Sequence, residues 1–415
     1  MKIAFFTDDY LPFMHGVTTS IQNYRYALES LGHEVYIIAP KKRGYKEEDD
    51  HVIRLFSVNP YIFDKKPVSV FYPGLARKLD KYQFDIVHSH TQPYMSFFAQ
   101  TVAKRQGVPH VTTIHTLFSE LIDDYPLAVK TGIIGFTVAY PIIFKTKPIL
   151  PVKTRSEILA MPSEEADSLM KKQAWYLMAA LVNHLDGCIT PSRHLADTLI
   201  DNGLTIDPNI LSNGVRLERY KTSKAADSPL VKKRGEKLIV AVARLSGEKR
   251  QATLIEAMAH VTSNARLILV GDGPEQENLM NLASRLGVEQ RVVFMGRQSP
   301  ESVAAILKQA DMFALASYRF DNQPMVILEA IASGLPVVYC DDNLKEGLNK
   351  KNSLITKGIE GKHFADAFDV LCGDNERLKS MSAASRELSE DFDITHLAHQ
   401  LEKYYQRHID NLVQK

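Results

Sequence analysis

The chain has 415 residues, enough for two or three domains with sizeable cores. With 45% hydrophobic and 24% charged residues it has the make-up of a globular protein, and a net charge of +1 gives no global argument for nucleic acid. Three widely spaced cysteines, Cys188, Cys340 and Cys372, argue against a disulfide framework and for a reducing compartment. Met1–Phe6 is too short for a secretory core and runs into Asp8-Asp9, and no run reaches the roughly 18 apolar residues of a membrane span. The expected location is cytoplasmic, with peripheral attachment to the inner face of the cell membrane as the alternative.

In chain order, Lys2–Thr7 predicts a strand and Asp8–Gly16 a loop. Val17, Ile21, Tyr24, Leu28 and Leu31 recur at helical spacing until Gly32. Glu34–Ala39, Asp85–His88 and His110–Ile114 predict further strands. The pattern loosens near 212–236, and Leu217–Lys237 shows no clear periodicity. The same rhythm then restarts with strands at Lys237–Val242, Arg266–Val270, Val292–Met295, Met312–Ala316 and Pro336–Cys340. Helices alternate with them at Ala252–His260, Glu275–Leu286, Pro300–Gln309 and Pro324–Ser333, and a last helix spans Ile394–Val413. Short apolar strands alternating with amphipathic helices predict α/β architecture, two doubly wound parallel sheets in succession. Two such domains imply a cleft, and ligands in such sheets sit at the carboxyl ends of strands.

Several loops carry candidate chemistry. Gly16 starts the first helix, where a backbone can approach a phosphate closely; taken alone the loop is also an ordinary strand–helix turn, and it lacks the GxGxxG of a redox dinucleotide site. His115 follows a buried strand. His88-Ser89-His90 offers paired imidazoles, but without a nearby acidic or cysteine cluster it is not read as a metal site. Arg244 and Lys249 lie just past a strand and can neutralise a diphosphate. Gly271-Asp272-Gly273-Pro274 is a tight turn. Asp321 and Glu329 stand eight positions apart across Asn322-Gln323-Pro324-Met325-Val326, at a predicted helix N-terminus that favours an anion. Finally, Lys130–Arg155 joins Lys130, Lys145, Lys147, Lys153 and Arg155 to an apolar run that includes Phe136. That combination suits an anionic membrane interface, and equally a buried insertion or a dimer contact.

Taken in order, these segments resemble the retaining glycosyltransferases of family 4, with their two-Rossmann-domain B-type architecture. The resemblance rests on Thr7–Thr19, Thr113-Ile114-His115-Thr116, Ser212-Asn213-Gly214-Val215, Arg244 with Lys249, Gly271–Pro274, Val293-Phe294-Met295-Gly296 and Asp321–Glu329, and it covers nearly the whole chain. It implies an acceptor-binding domain over 1–215, a donor-binding domain over 216–390, and a helix over 391–415 returning to the first. It further implies that Glu329 binds the nucleotide ribose and that backbone groups from Asn322, Gln323, Met325 and Val326 meet the phosphates. Asp321 and His115 would contact the donor sugar, and Arg244 and Lys249 the departing diphosphate. Gly16, Gly271, Gly273 and Met295 complete the expected donor site. No cofactor and no metal are expected; the co-substrate implied is a UDP-hexose.

Two departures matter. The family usually carries Glu where this chain has Asp321, and Gly where it has Pro324. The shorter carboxylate falls back by about an ångström, more than a good hydrogen bond tolerates, and Pro324 lacks an N–H for phosphate. His115-Thr116-Leu117-Phe118 and the Asp321 segment look most like the enzymes that glycosylate diacylglycerol. Partners expected on this reading are a nucleotide-sugar, a lipid or glycan acceptor and an anionic membrane surface. The alternatives are transfer to a polysaccharide, teichoic-acid or small-sugar acceptor, a nucleotide-sugar epimerase, and a non-enzymatic nucleotide-sugar binder.

Overall fold

Buried apolar runs that stop at polar loops generate two parallel sheets, one in each half of the chain. The computed structural model describes residues 1–58, 67–72, 74–92, 94–115, 133, 135–137, 140 and 163–414. The chain divides into two compact units, Met1–Ser212 with Ala398–Lys415, and Asn213–Leu397.

In the first unit, β1 (Lys2–Phe6) is followed by α1 (Gly16–Ser30), β2 (Glu34–Pro40) and β3 (Val52–Leu55). A short antiparallel pair, β4 (Ser57–Val58) and β5 (Val68–Ser69), precedes β6 (Ile86–Ser89). Then come α2 (Tyr94–Gln106), β7 (His110–Thr113), α3 (Ser163–Val182), β8 (Gly187–Thr190), α4 (Arg193–Asp201) and β9 (Asn209–Ile210). Among the described residues the main sheet runs β3-β2-β1-β6-β7-β8-β9, every pair parallel. Ile3, Ala4, Phe5 and Phe6 are all fully buried, as expected of a central parallel strand covered on both faces.

The second unit opens with α5 (Leu217–Thr222) and then alternates strand and helix as far as its fifth strand. Its elements are β10 (Lys237–Val242), α6 (Gln251–Met258), β11 (Ala265–Val270), α7 (Gln276–Arg285), β12 (Val292–Phe294), α8 (Pro300–Gln309) and β13 (Met312–Leu315). They continue with α9 (Met325–Ala332), β14 (Val337–Tyr339), β15 (Ser353–Ile355), α10 (Gly361–Cys372) and α11 (Asn375–Ser389). The sheet order among the described residues is β12-β11-β10-β13-β14-β15, again all parallel. Read by first appearance, this is the Rossmann order 3-2-1-4-5-6, whose direction reverses between β10 and β13. The first unit has the same reversal between β1 and β6.

The last helix, α12 (Ile394–Val413), begins in the second unit and ends in the first. In the first unit Tyr405 is fully buried and its hydroxyl lies 2.6 Å from His88 Nδ1, while His33 Nε2 lies 2.9 Å from Glu402. Gly187 makes room for this helix: a Cβ there would meet the Tyr404 hydroxyl and stand 2.8 Å from His408 Nε2.

One expectation from the sequence is corrected. The stretch Leu217–Lys237 is not wholly irregular; α5 buries Leu217 and Tyr220 in the core of the second unit. Two apolar residues on a six-residue helix are too little to register as a period. The two compact units divide at Ser212/Asn213 and at Leu397/Ala398. Val215 N–H donates to Phe392 O at 2.9 Å and Ile394 N–H to Val215 O at 3.0 Å, so both crossing segments pair with each other inside the second unit. Gly214 is required there, since a Cβ would lie 2.9 Å from Ile394 Cα. No helix among the described residues is long and apolar enough to cross a membrane.

Candidate active site

The two reversal points gather most of the candidate residues. In the second unit the loop after β10 carries Arg244 and Lys249, and the loop after β13 carries Asp321. Lys249 Nζ lies 2.6 Å from Asp321 Oδ1, an ion pair closed across the β10–β13 crevice. The ammonium also lies 4.8 Å from the centroid of the Phe320 ring.

Both loops are fixed by side chains outside the pair. Gln251 Nε2 donates to Arg244 O at 2.7 Å, and Arg250, left-handed at φ 52°, donates to Ile359 O at 2.8 Å. On the other side, buried Asp341 accepts the Arg319 N–H at 2.5 Å and the Asn343 N–H at 3.0 Å. Gln323 is buried too, and its Oε1 accepts the Asn213 N–H at 2.7 Å. The side chain of Gln323 therefore ties α9 to the segment that enters the unit. Pro324 is the N-cap of α9, in extended conformation, and no side chain caps that helix. Met325 is buried, whereas Val326 and Glu329 are half-buried.

Gly271 and Gly273 have a structural task that the sequence did not expose. Leu245 N–H donates to Asp272 O at 2.9 Å, and Glu275 N–H donates back to Leu245 O at 3.0 Å. The Gly271–Pro274 turn thus lies flat on the Arg244 loop. At Gly271, φ is +139° and a Cβ would collide with Ala243 O; at Gly273 a Cβ would stand 2.7 Å from Leu245 N. The Gly271 N–H also donates to Gly296 O at 2.9 Å, which joins the loop of Met295 to the same platform.

Glu329 faces Tyr220, whose hydroxyl donates to its carboxylate, and Arg219. Burial pushes the carboxyl up to about 7, and the Arg219 charge and the Tyr220 hydrogen bond only partly offset this. The sign follows: the native state binds this proton more tightly than the unfolded chain, so the group costs stability as pH rises from about 4.5 through about 7. Glu329→Gln is expected to match the parent below pH 4.5 and to exceed it at pH 8, by at most about 3 kcal/mol. Urea denaturation at both pH values measures this; equal stability at pH 8 would refute it.

In the first unit, His115 lies just past β7 with Nε2 3.1 Å from His90 Nδ1, the rings stacked at 5.4 Å. His90 in turn lies 4.1 Å from the His88 ring, and His88 Nε2 is 2.7 Å from Thr113 Oγ1. Burial, with a smaller contribution from His15, pushes His115 down to about 4, so it presents a neutral imidazole at neutral pH. Burial and the neighbouring imidazoles hold His88 and His90 well below the ordinary range. Gly16 opens α1 beside the β1–β6 reversal, after His15 as an extended N-cap without a side-chain cap bond. Asp8 and Thr91, from the loops after β1 and β6, are joined at 2.8 Å. Among the described residues no group of three His, Cys, Asp or Glu side chains could hold a metal.

Residues 14–219 match the model of Glycosyltransferase Family 4, and residues 223–388 that of Glycosyl transferases group 1. The chain belongs to glycosyltransferase family 4. An alpha-monoglucosyldiacylglycerol synthase of Streptococcus pneumoniae is 28% identical over 352 residues, 81% of this chain and 70% of that protein. One of Acholeplasma laidlawii is 27% identical over 360 residues, 83% and 81% respectively. Among solved structures, Anabaena Alr3699/HepE in complex with UDP and glucose superposes with a TM-score of 0.71 at 18% identity, covering 98% of this chain and all of that one. The two parallel Rossmann-like units are those of the B-type glycosyltransferase fold.

For this family-4 glycosyltransferase, Arg244, Lys249, Gly271, Gly273, Met295 and Asp321–Glu329 all lie on the second unit, and Gly16 and His115 on the first. Phe136 lies 5.1 Å from Phe97 and 6.1 Å from Tyr140 between ring centroids, so it has internal packing partners. Lys130, Lys145, Lys147, Lys153 and Arg155 lie outside the described residues. Sequence reasoning weighed His90 only as half of a metal-binding pair, and it missed Tyr220, Asp341 and the side-chain role of Gln323. Of these only His90 carried a signal, its spacing of two from His88 on an extended strand.

Proposed function

We propose that this glycosyltransferase moves a hexose from a UDP-hexose to a lipid acceptor of the diacylglycerol type, with retention of anomeric configuration and without a metal. The observation that carries the donor half is the closure of Lys249 and Asp321 across the reversal point, with Arg244 on one adjoining loop and the uncapped α9 on the other. Cations and helix N–H groups at that position suit a diphosphate. Glu329 would accept the ribose hydroxyls, and neutral His115 would hydrogen-bond a sugar hydroxyl. The anomeric C–O bond breaks with its electron pair passing to the phosphate oxygen. The acceptor oxygen bonds that carbon and passes its proton to the leaving phosphate oxygen. Lys249 and Arg244 would balance the charge gained by the diphosphate, the task a divalent cation performs elsewhere.

The lipid half is supported by the likeness to the two diacylglycerol glucosyltransferases. The cationic and apolar side chains of 130–155 supply the chemistry for an anionic bilayer surface. The test is product analysis with UDP-hexoses and diacylglycerol in vesicles, with and without EDTA. An α-linked glycolipid formed equally in both is expected. Product only on a soluble glycan would overturn the lipid acceptor. Donor conversion without any acceptor would point to an epimerase, and loss of activity in EDTA would remove the metal-free mechanism.

A further inference from the structure

We infer that Asp321 acts on Lys249 as a built-in counter-ion that limits how tightly the site retains the nucleoside diphosphate left after transfer. This rests on the donor reading above and adds to it a role for Asp321 exerted through another residue. The pair is short at 2.6 Å, with side chains only 18% and 14% exposed. Its partners are held by separate anchors, Gln251 and Arg250 on one side, Asp341 and Gln323 on the other. Neither loop needs to move for the pair to persist.

The carboxylate is also divided in its use. Oδ1 takes the ammonium, while Oδ2 is buried and has no hydrogen-bond partner among the described residues. A buried unsatisfied carboxylate oxygen is costly and is relieved by a hydroxyl donor. Oδ2 is thus available to a sugar hydroxyl while Oδ1 still holds Lys249. One short side chain can orient the donor and temper the cation beside its phosphates.

The consequence concerns release. When the anomeric C–O bond breaks, the electron pair goes to the phosphate, and the diphosphate gains negative charge. An ammonium without a counter-ion would hold that product more strongly than the donor. Asp321 competes for the same ammonium and carries like charge toward the product. Removing its charge at constant shape is expected to tighten nucleoside diphosphate binding while slowing turnover.

The experiment is calorimetric titration of the full chain with UDP, in the parent, Asp321→Asn, Lys249→Met and the double variant, with steady-state kinetics alongside. Asp321→Asn is expected to bind UDP about tenfold more tightly. It should lower both kcat and the donor KM, and the gain should vanish in the Lys249→Met background. Asp321→Glu keeps the charge and should keep parental UDP affinity. Should the Asn variant fail to fold, Asp321→Ser serves as the neutral replacement. Unchanged or weaker UDP binding in the neutral variant, or an equal gain without Lys249, would overturn the inference. Failure of the parent to bind UDP or any other nucleoside diphosphate would instead bring down the donor reading itself.

Discussion

Lys249→Ala is expected to lose transferase turnover by about 10²–10³-fold while keeping its fold. The size follows from what the ammonium is asked to do. A positioned donor aimed at developing charge, in a site shielded from water, stabilises the transition state far more than the ground state. Lys249 sits on a short 3-10 turn over Gly247–Lys249, so truncation disturbs no long element. The variant does leave Asp321 without its cation, and a half-buried carboxylate deprived of its partner costs stability. A modestly lower melting temperature with a cooperative transition is therefore part of the expected result. Single-turnover measurement with saturating donor separates the chemical step from binding. Parental turnover in that assay would remove Lys249 from the mechanism.

Gly271→Ala is expected to cost about 4 kcal/mol in the stability of the second unit. Two separate penalties combine. The backbone is at φ +139°, a region that side-chain-bearing residues avoid, and the new methyl would press on the carbonyl of Ala243. That carbonyl belongs to the backbone of the adjoining loop and cannot rotate away as a side chain could. Relief requires the turn to lift from the loop bearing Arg244, so activity should fall together with stability. By contrast, Gly287→Ala meets no atom within 4 Å; it bears only the conformational strain of φ +68° and should be the milder change. Denaturant unfolding of both variants gives the comparison, and equal losses would refute the role assigned to the close approach.

Gly271 and Gly273 also mark how far the sequence could be read. The alternation of apolar strands and helices located β10 through α9 within a residue or two at each end, because each strand is a single buried run and each helix has a clear stop. Pro300–Gln309 was legible to the residue, since Ser299 accepts from the Ser302 N–H and Pro300 occupies the first helical turn. The carbonyls beneath Gly271 and Gly273 were not legible, because they belong to another loop some thirty residues earlier. The same holds for Gln323 on Asn213, 110 positions apart, and for Lys249 on Asp321, 72 apart. Local pattern carries no trace of such pairings. α10 and α11 were missed for a different reason. Phe364, Phe368 and Leu371 do keep helical spacing and Asp374 does accept the Arg377 N–H, but α10 opens on Gly361 without a side-chain cap and α11 buries only two large apolar side chains, Leu378 and Met381.

The paired crossings near Val215 and Ile394 bear on the order in which the molecule is made. The second unit is, in chain terms, an insertion: both of its ends lie inside it and bind each other, and everything it needs has been synthesised by Leu397. The first unit is the reverse case. Its amino-terminal 212 residues emerge first, but the tyrosine that completes the hydrogen bonding of His88 and the helix that fills the space above Gly187 come last. A nascent chain can therefore complete its later half while its earlier half still lacks a piece of its core. The first unit cannot close its core until the whole of the second has been made, because Ala398–Lys415 belongs to it.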